Sequence, residues 1–168
     1  MNGVSAERRL AELGLELPPP PAPGGEYVAA KKVGRLLFLS GQGPMRNGVP
    51  TVVGQVGRDV SLEQGVEAAR QATLNALAAI RAATGSLDNV EEIVQLRGFV
   101  NSAPGFDRQP QVMNGASKLL VSVFGEAGRH VRCALGTSSL PHNIPVELEM
   151  IVSLRQEFGA QASPAEDS

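Results

Sequence analysis

Hydrophobic and polar positions alternate most regularly toward the C-terminal end of the chain. Val146, Leu148, Met150 and Val152 fall on one side of an extended run, with Glu147, Glu149 and Ile151 on the other. That is the period-two pattern of a strand with one buried face. Shortly before it, Val131, Cys133 and Leu135 alternate with Arg132, Ala134 and Gly136. Leu140-Pro141 lies between the two runs. The proline fixes its own φ and pushes Leu140 toward extended geometry, so the pattern predicts a β-hairpin. Residues 93–101 predict a further strand, with Val94, Leu96 and Val100 on one face and Ile93, Gln95, Arg97 and Phe99 on the other.

Helical spacing appears twice. Ser61 with Gln64 three positions on reads as a capping box; Val66, Ala69, Thr73, Leu77 and Ile80 then form a stripe, and Gly85 ends it. The many alanines point to close packing on a sheet. A second helix is predicted over 107–125, striped by Val112, Ala116, Leu119 and Val123, with Asn114-Gly115 weakening its propensity but allowing close approach. Upstream, a strand at 27–30, a turn at 31–34 and a strand at 36–40 predict a first hairpin whose second strand is apolar on both faces. Residues 41–57 are glycine-rich and read as a loop with a short strand.

These elements give the order βββ-α-β-α-ββ. The fold class predicted is α+β, a two-layer domain with a mixed β-sheet and two helices on one face. Its other face would carry Phe38, Ile93, Phe99 and Ile151 among polar groups. With no helix left to cover it, that face predicts association with copies of the same chain.

The ends read differently. Residues 5–13 can form a short helix anchored by Leu10 and Leu13, and 17–25 is a polyproline stretch closed by Gly24-Gly25, read as a spacer. Residues 1–25 are thus an extension, 26–155 the domain, and 156–168 a tail of disorder-like composition.

Composition narrows the function. The chain has 168 residues, enough for one domain with a real core, and a formal net charge of −2 with scattered Lys and Arg. No basic footprint for nucleic acid follows from that distribution. One cysteine precludes an internal disulfide framework and suits a reducing compartment. The N-terminal residues lack a signal-peptide pattern, and no apolar run reaches membrane-spanning length. The expectation is a cytoplasmic protein without membrane or nucleic-acid partners. His130 and His142 are not at ligand spacing, and no Cys/His cluster, phosphate-binding loop or Ser-His-acid order stands out, so no metal site is expected.

Several landmarks together resemble the RidA/YjgF family. Leu140-Pro141 follows Arg132 by eight and nine positions, and Glu147 lies six beyond that proline within Val-Glu-Leu-Glu. Tyr27 precedes the first hairpin, and Ser40-Gly41-Gln42 ends it. The resemblance covers about residues 26–155. It implies a chorismate mutase-like (RidA-like) fold and a homotrimer with clefts between subunits. It further implies hydrolytic deamination of 2-imino or enamine acids to 2-oxo acids and ammonia, without a cofactor.

Under that resemblance Arg132 anchors the carboxylate of a small substrate, Glu147 activates water, and Tyr27 borders the cleft. Gly41 and Ala134 offer backbone groups, and Asn114 lies nearby. Read from the residues alone, Arg132 suits a structural ion pair with Glu147 or Glu149 across a hairpin, and Glu149 suits a basic partner. Where many relatives carry a cleft cysteine this chain has Ala134. Cys133 is expected to be buried and inert. An alternative from a different class is a non-catalytic carboxylate-binding trimer. The older ribonuclease label fits poorly with an acidic chain whose aromatic content is 4%.

Overall fold

The computed structural model describes residues 5–155; the tail expected at 156–168 lies outside the described residues. In chain order the elements are α1 (Ala6–Glu12), β1 (Ala30–Val33), β2 (Leu36–Leu39), β3 (Met45–Arg46), β4 (Val49–Pro50), α2 (Leu62–Thr84), β5 (Val90–Asn101), α3 (Gln109–Phe124), β6 (Val131–Thr137) and β7 (Val146–Leu154). Five strands form one mixed sheet in the order β1-β2-β7-β5-β6. All pairs are antiparallel except β5–β6. Helices α2 and α3 cover one face, giving the α+β two-layer architecture.

The C-terminal hairpin does not form. β5 lies between β6 and β7, parallel to the first and antiparallel to the second. Pairing partners are a non-local choice that alternation along each strand cannot reveal. A second correction lies in β5. Its register shifts between Val90 and Glu92 and again between Ile93 and Gln95, and each irregularity resets which side chains point inward. Ile93 therefore joins the core at 1% exposure instead of lying on the open face.

Helix α2 begins and ends as its sequence dictates. Ser61 accepts from the Gln64 backbone N–H, the Gln64 side chain accepts from the Ser61 N–H, and Gly85 stands left-handed at the end. Its alanines lie against the sheet, Ala69, Ala72 and Ala76 fully buried. Helix α3 starts two residues later than predicted and runs unbroken through Asn114-Gly115. Gly115 sits where a methyl group would overlap the Val66 carbonyl, so it permits the close crossing of α2 and α3.

The first hairpin is displaced along the chain. Residues 31–33, predicted as a turn, belong to β1, and the reversal falls at Gly34, φ 57°. Tyr27 precedes the strand. The glycine-rich stretch forms a small hairpin of β3 and β4, reversing through Asn47 and Gly48 with φ 52° and 77°. The buried Asn75 amide donates to the carbonyls of Gly43 (2.8 Å) and Met45 (2.9 Å), fastening this hairpin to α2.

Helix α1 is docked by its contacts rather than by propensity. Leu10 is 2% exposed, Arg81 pairs with Glu7, and Glu7 also accepts from the Leu87 N–H at 2.9 Å. Leu13, the second predicted anchor, is exposed; Leu15 and Leu17 pack on the core in its place.

The face away from the helices is open. Leu36, Phe38, Val131 and Leu135 all project from it, Phe38 at 39% exposure. Among them Arg97 and Glu149 form an ion pair at 2.8 Å, where β5 and β7 bring them opposite each other.

Candidate functional site

Two groups of residues stand out, and one chain keeps them apart. The first surrounds a cavity of about 510 Å³ where the end of β2, the start of β7 and the polyproline segment meet. Glu147 enters from the open face of β7. Its carboxyl lies so close over Gly41 that any side chain there would overlap Oε1. Gly41 thus admits the carboxylate by having no Cβ. Ser40 is fixed by donating to the Ala29 carbonyl at 3.1 Å, and Gln42 exchanges backbone hydrogen bonds with Leu148. These bonds extend the sheet past β2 and set the height of Gly41.

Glu147 is half-buried. Burial raises its pKa above the ordinary glutamate value, and the neighbouring charge of Glu149 raises it further. Tyr27, 52% exposed, lines the same cavity. Its hydroxyl oxygen accepts from the Gly24 N–H at 3.0 Å, leaving the phenolic proton to donate elsewhere.

Sequence reasoning missed two parts of this cavity. Pro21 to Gly24, read as a spacer, forms one wall, and His142 forms another. His142 and Asn143 are both left-handed (φ 55°), in a turn held by Gly54 N–H donating to the Asn143 carbonyl at 2.7 Å. Left-handed geometry at two successive non-glycine residues is uncommon and marks a constrained loop. Among the described residues lining the cavity, none is a lysine or arginine.

The second group lies on the helix side of β6, the edge strand. The register sets Arg132 beside Leu96 and Ala134 beside Gly98, on the covered face, whereas Glu147 lies beside Phe99 on the open face. Arg132 Nη1 donates to Asn114 Oδ1 (2.9 Å) and Ser117 Oγ (3.1 Å), and Nη2 donates to the Pro110 carbonyl (3.3 Å). Three of its five N–H donors are thereby committed within α3; the other two have no partner among the described residues. Two free donors on a held guanidinium match what a bidentate carboxylate takes.

Arg132 forms no ion pair with Glu147 or Glu149, since β5 separates the strands and the side chains project to opposite faces. Glu149 is instead the partner of Arg97. Asn114 reaches Arg132 directly, and Ala134 packs on the core two residues along from it. Cys133 is half-buried, not buried as expected, because its register opposite Arg97 puts it on the open face.

Among the described residues no group of three or more Cys, His, Asp or Glu side chains converges as a metal site, and no helix is long and apolar enough to cross a membrane.

The family described as YjgF/chorismate mutase-like, putative endoribonuclease, matches residues 7–154. Protein TCP17 of Trypanosoma cruzi is 42% identical over 146 residues, covering 86% of this chain and 91% of that protein. The crystal structure of a protein of unknown function from Agrobacterium tumefaciens is 44% identical with a TM-score of 0.81, covering 89% of this chain and 92% of its own. RidA from the Antarctic bacterium Psychrobacter sp. is 26% identical with a TM-score of 0.57, covering 80% and 94%. With the matched family spanning nearly the whole described chain, from α1 to the end of β7, the protein belongs to the RidA/YjgF family.

Proposed function

We propose that the protein hydrolyses reactive 2-imino acids, and their enamine tautomers, to 2-oxo acids and ammonia. The observation that carries this reading is the division of the site. A held, half-free guanidinium lies on the covered face of an edge strand, and a carboxylate with a raised pKa lies in a cavity on the other face. Each is half of what a small carboxylate-bearing imine needs. They meet only if Arg132 and Asn114 of one copy close the Glu147 cavity of another, so the active unit is a homo-oligomer, a trimer by family resemblance. The exposed apolar side chains of the open face give a reason to associate.

In that cleft Arg132 grips the substrate carboxylate. Glu147, ionised, takes a proton from a water held beside the imine carbon. The water oxygen adds to that carbon as the C=N π bond opens onto nitrogen. Glu147 returns that proton to the nitrogen, giving the carbinolamine, then carries the carbinolamine's hydroxyl proton to the nitrogen as the C–N bond breaks. Ammonia leaves, the carbonyl forms, and one water is consumed for each ammonia released. Tyr27 steadies the water through its free phenolic proton. The uncatalysed reaction is already fast, so positioning and one proton-transfer group suffice.

The family description also carries an endoribonuclease label. A cavity whose described lining holds a carboxylate and neither lysine nor arginine is a poor seat for a phosphodiester.

The test is the lifetime of 2-iminopropionate or 2-iminobutyrate, made in situ by an amino-acid oxidase and trapped competitively by semicarbazide. Wild type shortens that lifetime and Arg132→Ala does not. Unchanged decay with folded, oligomeric wild type would reject the reading. Carboxylate binding without turnover would favour a non-catalytic binding protein instead.

A further inference from the structure

The side chains behind Arg132 form a directed chain of hydrogen bonds. His130 Nδ1 is 2.7 Å from the Gly128 carbonyl, which can only accept, so that nitrogen carries the proton. In the neutral ring Nε2 is then an acceptor, and it lies 3.0 Å from Ser117 Oγ. The serine proton therefore points to His130, and its oxygen is left to accept from Arg132 Nη1 at 3.1 Å. Each member has one consistent role: Arg132 donates to Ser117, Ser117 to His130, and His130 to the backbone of the turn at Gly125–Gly128.

We propose that Ser117 and His130 are positioning residues for Arg132, with neutral His130 holding the guanidinium in place for a carboxylate and protonated His130 releasing it. If Nε2 gains a proton it must donate to Ser117 Oγ. One oxygen then lies between two cations, and Arg132 is the one with other acceptors to turn to, Asn114 and Pro110. The carboxylate-gripping role of Arg132 rests on the function proposed above; the coupling of His130 to Arg132 does not.

The surroundings favour the neutral ring. Burial lowers the His130 pKa below its ordinary 6.5, and Arg132 lowers it further, against the opposing hydrogen bond to Gly128. Other charged groups nearby are accounted for. On the adjoining turn Glu126 pairs with Arg129, on α3 the neighbouring Lys118 is exposed, and β5 places the uncharged Gln95 beside Val131. Near neutral pH the chain is therefore set in its holding arrangement.

Nitrogen-15 NMR of the whole protein tests the coupling without any substrate. In wild type His130 should show the Nδ1–H tautomer. On acidification the Arg132 guanidinium signals should move with the His130 midpoint, below pH 6.5. Ser117→Ala should leave His130 titrating while Arg132 no longer follows it, and Ser117→Thr, which keeps the hydroxyl, should restore the link. Arg132 signals that ignore His130 in wild type, or follow it equally in Ser117→Ala, would overturn the proposal. Calorimetry with 2-oxobutyrate adds the functional arm. Losing one such hydrogen bond should weaken binding about fivefold in Ser117→Ala, with recovery in Ser117→Thr. Equal binding by wild type and Ser117→Ala would remove the positioning role. Intact NMR coupling in a wild type that binds no 2-oxobutyrate would support the chain while rejecting the imine hydrolase reading.

Discussion

Gly41 and Glu147 make the most local claim. A Cβ at position 41 would overlap the Glu147 carboxyl, the mobile end of a side chain, rather than backbone. Gly41→Ala should therefore fold with little change in melting temperature while displacing Glu147, lowering kcat for imine hydrolysis by about tenfold to a hundredfold. A large loss of stability with unchanged kcat would contradict this. The proton affinity of Glu147 gives a second test. Acting as a base it must be ionised, so activity should fall on acidification along a limb above the ordinary glutamate range, because burial and Glu149 both raise its pKa. Glu149→Gln removes the like charge and frees Arg97 from its ion pair, and both changes favour the ionised form. The acid limb of the pH–rate profile should move to lower pH. Movement the other way would mean that Glu147 is not the group titrating. Tyr27 and Glu147 were legible only through their places in a recognisable pattern. Nothing in local sequence showed that Pro21 to Gly24 and His142 wall the same cavity, because that contact joins segments far apart in the chain.

At the scale of elements, local rules served where local forces decide. The Ser61–Gln64 box and Gly85 set the ends of α2 as a sequence reader would set them. They failed where long-range pairing decides. The alternation of β7 was read correctly, but in β6 Arg132 and Ala134 take the covered face that was expected for Cys133. Joining the two strands as a hairpin overlooked β5, which takes both as partners. The irregularity after Ile93 was likewise invisible, since a shift of one residue looks the same as plain alternation until the partner strand is known. Gly115 was read as a weak point in α3 that tolerates close approach, and the contact with the Val66 carbonyl gives it that purpose. Here the neighbour is backbone and cannot swing away. Gly115→Ala should destabilise the protein by about 1–3 kcal/mol, despite alanine's better helix propensity. Denaturant unfolding measures this, and a neutral or stabilising result would mean that the helices can part at little cost.

At the scale of the whole molecule, the sheet divides the candidate site. Helices seal one face and leave Arg132 and Asn114 at its edge; the other face holds Glu147 among exposed apolar side chains. The open face was legible in part, through Phe38, Phe99 and Ile151 with no element left to cover them, whereas Ile93 lies in the core. Opposite placement of Arg132 and Glu147 was not legible, because it depends on the strand order β1-β2-β7-β5-β6. That order is also why an ion pair between them, reasonable for a hairpin, does not form.

If one catalytic site is shared between two copies, mixing subunits that each lack a different half should restore it. Arg132→Ala and Glu147→Gln should each be inactive alone. Unfolded together in equal amounts and refolded, they should regain imine hydrolysis at about a quarter of the wild-type sites, since random assembly pairs an intact arginine with an intact glutamate that often. No recovery from the mixture, with both variants folded and assembled as wild type, would contradict a shared site.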